Sequence, residues 1–158
     1  MDIKHRAAAQ RLDRSNDQPV CELFWHLKGN PERVRETLQK ITQDLSAAGL
    51  SEQAIGNAEV VFAEIFNNIV NHAYAGRKDG DIQATAYAGP MALRCVVKDF
   101  GHAMPRLELP KGQLPDSSGP LESLPEGGFG WFLIRQLTQG LSYDRFEEQN
   151  ILTFELPY

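Results

Sequence analysis

Residues 64–74 read EIFNNIVNHAY, and the rest of the sequence is interpreted around this stretch. At 100° per residue, apolar side chains that recur three and four positions apart form one face of an amphipathic helix. Those side chains are Ile55, Ala58, Phe62, Ile65 and Ile69. Glu64, Asn68 and Asn71, with Asn57 earlier in the helix, fall on the opposite face. Asparagine is a poor helix former because its amide competes for backbone hydrogen bonds, so this clustering predicts a functional face.

The composition of the chain favours one globular domain, which we expect over residues 19–158, preceded by a polar and partly disordered tail over residues 1–18. The net charge is −5 and no basic stripe is present, which argues against direct contact with nucleic acid. Cys21 and Cys95 lack metal-ligand spacing, which favours buried thiols in a reducing compartment. With no leader or membrane-spanning segment expected, the sequence predicts a cytoplasmic protein without a membrane partner.

The remaining periodicity predicts two more helices and five strands. Alternating apolar residues predict strands over residues 20–27, 82–88, 91–98, 141–146 and 151–156. Asn30, followed by a proline, is the expected N-cap of a first helix that runs to Gly49. Ser51 is the expected N-cap of the second helix, which carries the polar face and ends at Gly76. A third helix is expected from residue 127 to about residue 139.

Glu64 and Asn68 lie one helical turn apart, so both side chains can point into the same pocket. An amide oxygen suits Mg²⁺, and a carboxylate can deprotonate an attacking hydroxyl. His72 either packs beside this face or contacts a phosphate, and its sequence context leaves both open. The simpler interpretation of the whole face is a solvated polar surface.

Asp99 follows the third predicted strand, and counting by two places it on the apolar face of that strand. A carboxylate there needs a donor, such as the exocyclic amine of adenine, and Gly101 would let the backbone approach the base. An aspartate that caps an ordinary turn is the alternative. The Asp-Phe-Gly run is not the magnesium signature of eukaryotic-type protein kinases, because their HRD loop and N-terminal glycine-rich loop are absent.

Residues 100–126 are rich in proline, glycine and serine and predict an active-site lid. The segment Gly127–Gly130 then opens the third helix, where backbone N–H groups and the helix dipole can hold phosphate. A plain helix start with a flexible entry is the alternative. Neither a dinucleotide-binding fingerprint nor a Walker A sequence is present.

Together and in this order, the three segments resemble the GHKL ATPases, and within them the small anti-sigma-factor serine kinases. EIFNNIVNHAY is similar to the N box of that family, DFGHAMP to its first glycine box and GGFGWFLI to its second. The resemblance implies an α+β fold of the Bergerat type. Such a fold is a two-layer α/β sandwich with a mixed, mostly antiparallel sheet and helices on one face.

The resemblance also implies roles for individual residues. Glu64 would be the catalytic base, and Asn68 would hold Mg²⁺. The implied ATP-binding set is Asn68, His72, Asp99, Gly101, Gly128, Phe129 and Gly130. Two positions depart from the family pattern: Ala103 stands where a second glycine is common, and Trp131 stands where a smaller apolar residue is usual. Arg106 and Lys111 are candidates to neutralise charge on the γ-phosphate.

The function implied by the resemblance is an ATP- and Mg²⁺-dependent serine/threonine protein kinase. Its implied substrate is an anti-sigma-factor antagonist of the STAS type, with a sigma factor as a second partner and a homodimer as the expected assembly. Three alternatives stay open. The chain could be a sigma-factor-sequestering module with little kinase activity, a detached histidine-kinase-like ATPase module, or a relative that binds nucleotide without turnover.

Overall fold

The computed structural model describes residues 21–114 and 129–158. The predicted N-terminal tail, the distal part of the lid and the glycines Gly127 and Gly128 lie outside the described residues.

Five strands form one sheet: β1 (Cys21–Lys28), β2 (Asp81–Ala88), β3 (Ala92–Asp99), β4 (Gln139–Phe146) and β5 (Gln149–Pro157). Their order is β1-β2-β3-β5-β4, and every neighbouring pair is antiparallel. The α-helices within the described ranges are α1 (Pro31–Ala47), α2 (Glu52–Asn68) and α3 (Phe129–Leu137). The α+β class expected from the resemblance is confirmed, with a sheet that is antiparallel at each pairing described.

The strands bury one face and leave the other partly exposed. Residues in β2 and β3 alternate strictly between partly exposed and buried, as the period of two predicts. Phe62 of α2 packs on the buried face, with its ring centroid 5.8 Å from those of Trp25 in β1 and Phe154 in β5. These contacts across the layers hold α2 firmly against the sheet.

Side-chain caps fix where the first two helices begin. Asn30 accepts a hydrogen bond from the Arg33 backbone N–H over 3.0 Å, and Ser51 accepts one from the Ala54 N–H over 3.2 Å. Each cap stabilises its helix by about 1 kcal/mol. The cap at Ser51 therefore sets the register of the helix that carries the polar face.

The second helix differs from the prediction at its C-terminal end. The α-helix stops at Asn68, and a π-helix follows over Ile69–Ala73. The hydrogen-bond pattern therefore departs from a regular α-helix after Asn68. Asn71 nevertheless lines the same cavity as Asn68, as the sequence predicted. Gly76, at φ +81°, then ends the segment by donating its N–H to the Val70 carbonyl over 3.1 Å.

The third helix also ends earlier than predicted. It ends at Leu137, and β4 already begins at Gln139, which pairs with Glu155 of β5. The pairing with β5 therefore takes a residue that local periodicity assigns to the helix. Gly140, at φ +60°, lies where the register between the two strands shifts.

Candidate active site

A cavity of about 530 Å³ lies where the three predicted segments meet. Its lining includes Asn68, His72, Asp99, Met104, Trp131 and Asn150. These residues come from the end of α2, the π turn, the end of β3 with the following loop, α3 and β5. The volume is in the range of pockets that hold small-molecule ligands and cofactors. Asn68 and Asn150, which are 82 positions apart in the sequence, thus share one concave site.

Asp99 ends β3 and is 5% exposed. Its Oδ1 accepts hydrogen bonds from the Gly101 backbone N–H over 2.9 Å and from the Asn150 amide over 2.7 Å. Burial raises the pKa of Asp99, while these hydrogen bonds and the positive charge of Arg145 oppose the rise. Oδ2 accepts no hydrogen bond from the described residues, so it is the oxygen left for a ligand in the cavity.

Gly101 packs against the π turn. A Cβ built on it would collide with the carbonyl of Ala73, and the His102 N–H donates to that same carbonyl over 2.7 Å. The sequence predicted Gly101 for close approach to a base. The structure supplies a further reason for the glycine, which is contact between the loop after β3 and the end of the functional helix.

Tyr74 ties the same two segments together, a role that the sequence did not suggest. Its ring is 2% exposed, and its hydroxyl donates to the Asp81 carbonyl over 2.6 Å. The hydroxyl also accepts from the Phe100 N–H over 2.9 Å. Burial raises the pKa of Tyr74, so the hydroxyl stays protonated and both bonds persist at neutral pH.

Glu64 and Asn68 lie beside the N-terminal turn of α3. A Cβ built on Gly130 would collide with Oε2 of Glu64 and would lie 3.9 Å from Nδ2 of Asn68. Glycine at position 130 therefore permits the helix start to approach both side chains. The carboxylate and the amide consequently face Gly130, the last residue of the segment that the sequence predicts to hold phosphate.

The amide of Asn68 is suited to a ligand. Its Nδ2 is buried and has no hydrogen-bond partner among the residues described. Such an atom costs about 1–3 kcal/mol unless something satisfies it. An amide can turn over to present its oxygen instead, which is a good ligand for Mg²⁺.

Residues 21–114 and 129–158 contain no group of three or more His, Cys, Asp or Glu placed to hold a metal. An ion that keeps waters and phosphate ligands fits this site better than one that needs a complete protein cage.

The other predicted residues occupy different positions. His72 lines the cavity at an exposed position, and Phe129 begins α3 with 49% of its surface exposed. Gly128 lies outside the described residues. Arg106 and Lys111 are exposed, and neither lines the cavity.

The start of the predicted lid lies against α3. Arg135 of α3 donates its Nε–H to the Pro110 carbonyl over 2.8 Å. Gly112, at φ +66°, lies so close to α3 that a Cβ would be 2.8 Å from the Trp131 carbonyl oxygen. This part of the loop therefore has a defined position beside the cavity.

Sequence reasoning also missed Tyr143 and Asn150, which line the cavity from β4 and β5. Asn150 is 4% exposed, and it stands opposite Asp99 in the antiparallel register of β3 and β5. An asparagine at the start of an apolar strand was the available signal, but an asparagine there is equally typical of a turn.

A family profile described as the histidine kinase-like ATPase domain matches residues 27–156, which include every described part of the cavity. The chain belongs to the histidine kinase-like (GHKL) ATPases. This family assignment confirms the resemblance on which the sequence interpretation rests.

Several relatives of this GHKL protein are named serine-protein kinase RsbW. The relative from Oceanobacillus iheyensis is 29% identical over 108 residues, which cover 68% of each chain. Those from Listeria monocytogenes and Listeria innocua are 31% and 32% identical over 113 residues, covering 70% of this chain and 71% of theirs. The protein therefore falls among the anti-sigma-factor serine-protein kinases of the family.

A solved structure of the RsbU and RsbW domains of a Mycobacterium tuberculosis protein has a similar fold, with a TM-score of 0.60 at 18% identity. The match covers 88% of this GHKL protein and 33% of that longer chain. It supports the α+β architecture. Among the described helices, none combines the length and the apolar character needed to span a bilayer.

Proposed function

We propose that this protein is an ATP- and Mg²⁺-dependent serine/threonine kinase that phosphorylates an anti-sigma-factor antagonist of the STAS type. The observation that carries the proposal is the meeting of two groups around one cavity, with Glu64 beside the second. They are the buried carboxylate of Asp99 and the Asn68 amide, whose nitrogen has no partner within residues 21–114 and 129–158. The names of the relatives favour a protein serine as the phosphoryl acceptor. The proposal places the protein in the cytoplasm, where ATP is available.

Each chemical role follows from a position in the site. Oδ2 of Asp99 accepts from the exocyclic amine of adenine, which seats the base and directs the triphosphate toward the N-terminus of α3. Glu64 accepts the proton of the substrate hydroxyl while the oxygen of that hydroxyl bonds to the γ-phosphorus. The bond from the γ-phosphorus to its bridging oxygen breaks, and ADP leaves. Because little covalent chemistry is required of the protein, positioning and charge stabilisation supply most of the rate.

Magnesium fits the donor set of this site. Asn68 would hold the ion through its amide oxygen, together with phosphate oxygens and water. When bound, Mg²⁺ neutralises charge on the triphosphate and stabilises the charge that develops during transfer. Gly130 leaves room for the helix start beside this amide, so the backbone N–H groups of the first turn can share that charge.

Transfer of label from [γ-³²P]ATP to a purified STAS antagonist tests the proposal. Glu64→Gln should lower the transfer rate about 100-fold or more, because it removes the base while preserving side-chain size. ADP affinity, measured by calorimetry, should stay within about threefold of wild type, since Glu64 does not line the base cavity. Glu59→Gln is the matched control, because Glu59 is an exposed glutamate of the same helix.

Two results would contradict the kinase proposal. One is transfer by Glu64→Gln at the wild-type rate, and the other is ADP binding by the wild type with no transfer to any antagonist. The phosphoryl acceptor separates this proposal from a histidine-kinase-like module. A phosphoserine survives acid treatment of the product, whereas a phosphohistidine does not.

Sequestration of a sigma factor is the second candidate function, and exposed apolar surface favours it. Phe24 is 58% exposed on β1, an edge strand of the sheet. An exposed aromatic side chain on a sheet face is suited to a protein interface, either with a sigma factor or in a homodimer. Light scattering of the wild type and of Phe24→Ser, with and without sigma factor, tests both. Identical masses for the two proteins would exclude Phe24 from any interface.

A further inference from the structure

Asn150 makes hydrogen bonds at both ends of its amide. Its Oδ1 accepts from the Tyr143 hydroxyl and from Nη1 of Arg145, each over 2.6 Å. Its Nδ2 donates to Oδ1 of Asp99 over 2.7 Å and to the His102 carbonyl over 3.0 Å. A buried asparagine with this many partners is part of a polar network rather than a packing residue.

The orientation of this amide is determined by its neighbours. A guanidinium group can only donate hydrogen bonds, so the oxygen end must face Arg145. Carbonyl and carboxylate oxygens at the opposite end accept, so the nitrogen end must face Asp99. Arg145 is itself held in place because Nη1 also donates to the Gly101 carbonyl over 3.0 Å. Turning the amide over would create a donor–donor contact at one end and acceptor–acceptor contacts at the other.

The oriented amide controls Asp99 in turn. Its N–H and the Gly101 N–H both point at Oδ1, so this oxygen must remain an acceptor. Only Oδ2 is left for a ligand, and as part of an ionised carboxylate it accepts but cannot donate. An acceptor at this position attracts the 6-amino group of adenine. The 6-oxo group of hypoxanthine or guanine would place a second acceptor against it.

We propose that Asn150, oriented by Arg145, is a positioning residue that presents one fixed acceptor atom of Asp99 to the base and thereby makes the cavity select a 6-amino purine over a 6-oxo purine. The inference rests on the nucleotide site of the proposed function. It adds Asn150 and Arg145 as the residues that determine which oxygen of the Asp99 carboxylate faces the ligand.

Asp99→Asn tests this inference, because the new amide has an oxygen end and a nitrogen end. Asn150 and the Gly101 N–H would hold its oxygen inward, which turns its NH₂ group toward the cavity. Binding of ADP and of IDP, whose base has a 6-oxo group, is measured by calorimetry with Mg²⁺. The wild type should prefer ADP by about tenfold or more, and Asp99→Asn should prefer IDP.

A double variant distinguishes a positioning role of Asn150 from a general contribution of Asn150 to stability. In Asp99→Asn/Asn150→Leu, only the Gly101 N–H still orients the amide, so the preference for IDP should fall about fivefold or more. Asp99→Asn/Gln149→Leu is the matched control, because it removes the neighbouring amide and should keep the preference. A purely structural role for Asn150 would weaken both nucleotides equally and leave their ratio unchanged.

The outcomes are distinct. An Asp99→Asn variant that does not prefer IDP overturns the inference, and so does an IDP preference that is undiminished in the double variant with Asn150→Leu. If that double variant does not fold, Asp99→Asn/Arg145→Met replaces it, since it removes the donor that orients Asn150. A wild type that binds neither nucleotide refutes the proposed function and this inference with it. Normal ADP binding with unaltered ratios refutes the inference alone.

Discussion

Replacing Gly101 with alanine tests how the loop after β3 is held against the functional helix. The added methyl group would overlap the carbonyl of Ala73, which is backbone and cannot rotate out of the way. The same carbonyl accepts the His102 N–H over 2.7 Å, so moving the loop away stretches that hydrogen bond. The perturbation is therefore steric, and Gly101 is not among the glycines with positive φ.

The size of the effect follows from three contributions. Overpacking costs about 1–3 kcal/mol, and the weakened hydrogen bond costs about 1 kcal/mol more. Alanine returns about 0.4–1 kcal/mol by restricting the unfolded chain. We therefore expect Gly101→Ala to lower the free energy of unfolding by about 1–4 kcal/mol. The melting temperature should fall by about 2–4 °C for each kcal/mol.

Urea unfolding followed by circular dichroism measures this loss, and an ADP titration measures its effect on the site. ADP affinity should also fall, because the Gly101 N–H is one of the donors that fix Asp99. Gly56→Ala is the matched control. Gly56 lies inside α2, and beyond the backbone of that helix no described residue lies within 4 Å of its added Cβ, so this variant should gain about 0.5–1 kcal/mol. A Gly101→Ala protein at least as stable as the wild type would refute the reasoning.

Three further predictions concern the site. Gly130→Ala should reduce phosphoryl transfer at least about tenfold, and by a larger factor than it weakens ADP binding, because its methyl group displaces the Glu64 carboxylate. Equal transfer by Gly130→Ala and Gly56→Ala would contradict this. Tyr74→Phe should lower the free energy of unfolding by about 2–4 kcal/mol in urea titrations, since it leaves a carbonyl and an N–H without their partner. ADP binding should weaken on acidification at a pH above the 3.8 typical of aspartate, because burial raises the pKa of Asp99 and only the ionised form accepts from adenine; a flat pH profile down to 3.8 would refute this. Because the folded pKa of Asp99 is raised, its contribution to stability is present at low pH and is lost as the pH rises through that pKa.

Local features of the sequence were sufficient to predict the helix starts, the buried face of β3 and the family. The caps at Asn30 and Ser51 lie where their residue types predict, since a capping side chain bonds to an N–H three residues away. The alternation in β3 predicted that Asp99 would lie on the buried face, because that pattern depends only on the period of a strand. The order of the three motifs was specific enough to predict the GHKL family.

The path of the functional helix could not be predicted in the same way. The π turn over Ile69–Ala73 and the packing of Gly101 against its last residue are not encoded in the apolar period. Counting residues by a fixed angle assumes an unbroken α-helix. The hydrogen-bond pattern changes at Ile69, so this assumption does not hold for the last turn.

The sequence by itself determined the fold class, the family and the residue types available for nucleotide chemistry, because periodicity, caps and motif order are properties of neighbouring residues. Only the tertiary structure decided which atoms meet. Asn150 and Asp99 are 51 positions apart, and Gly130 approaches Glu64 across 66 positions. Hydrogen-bond polarity and steric fit between such distant residues depend on how the sheet and helices pack, so no local pattern in the chain reports them.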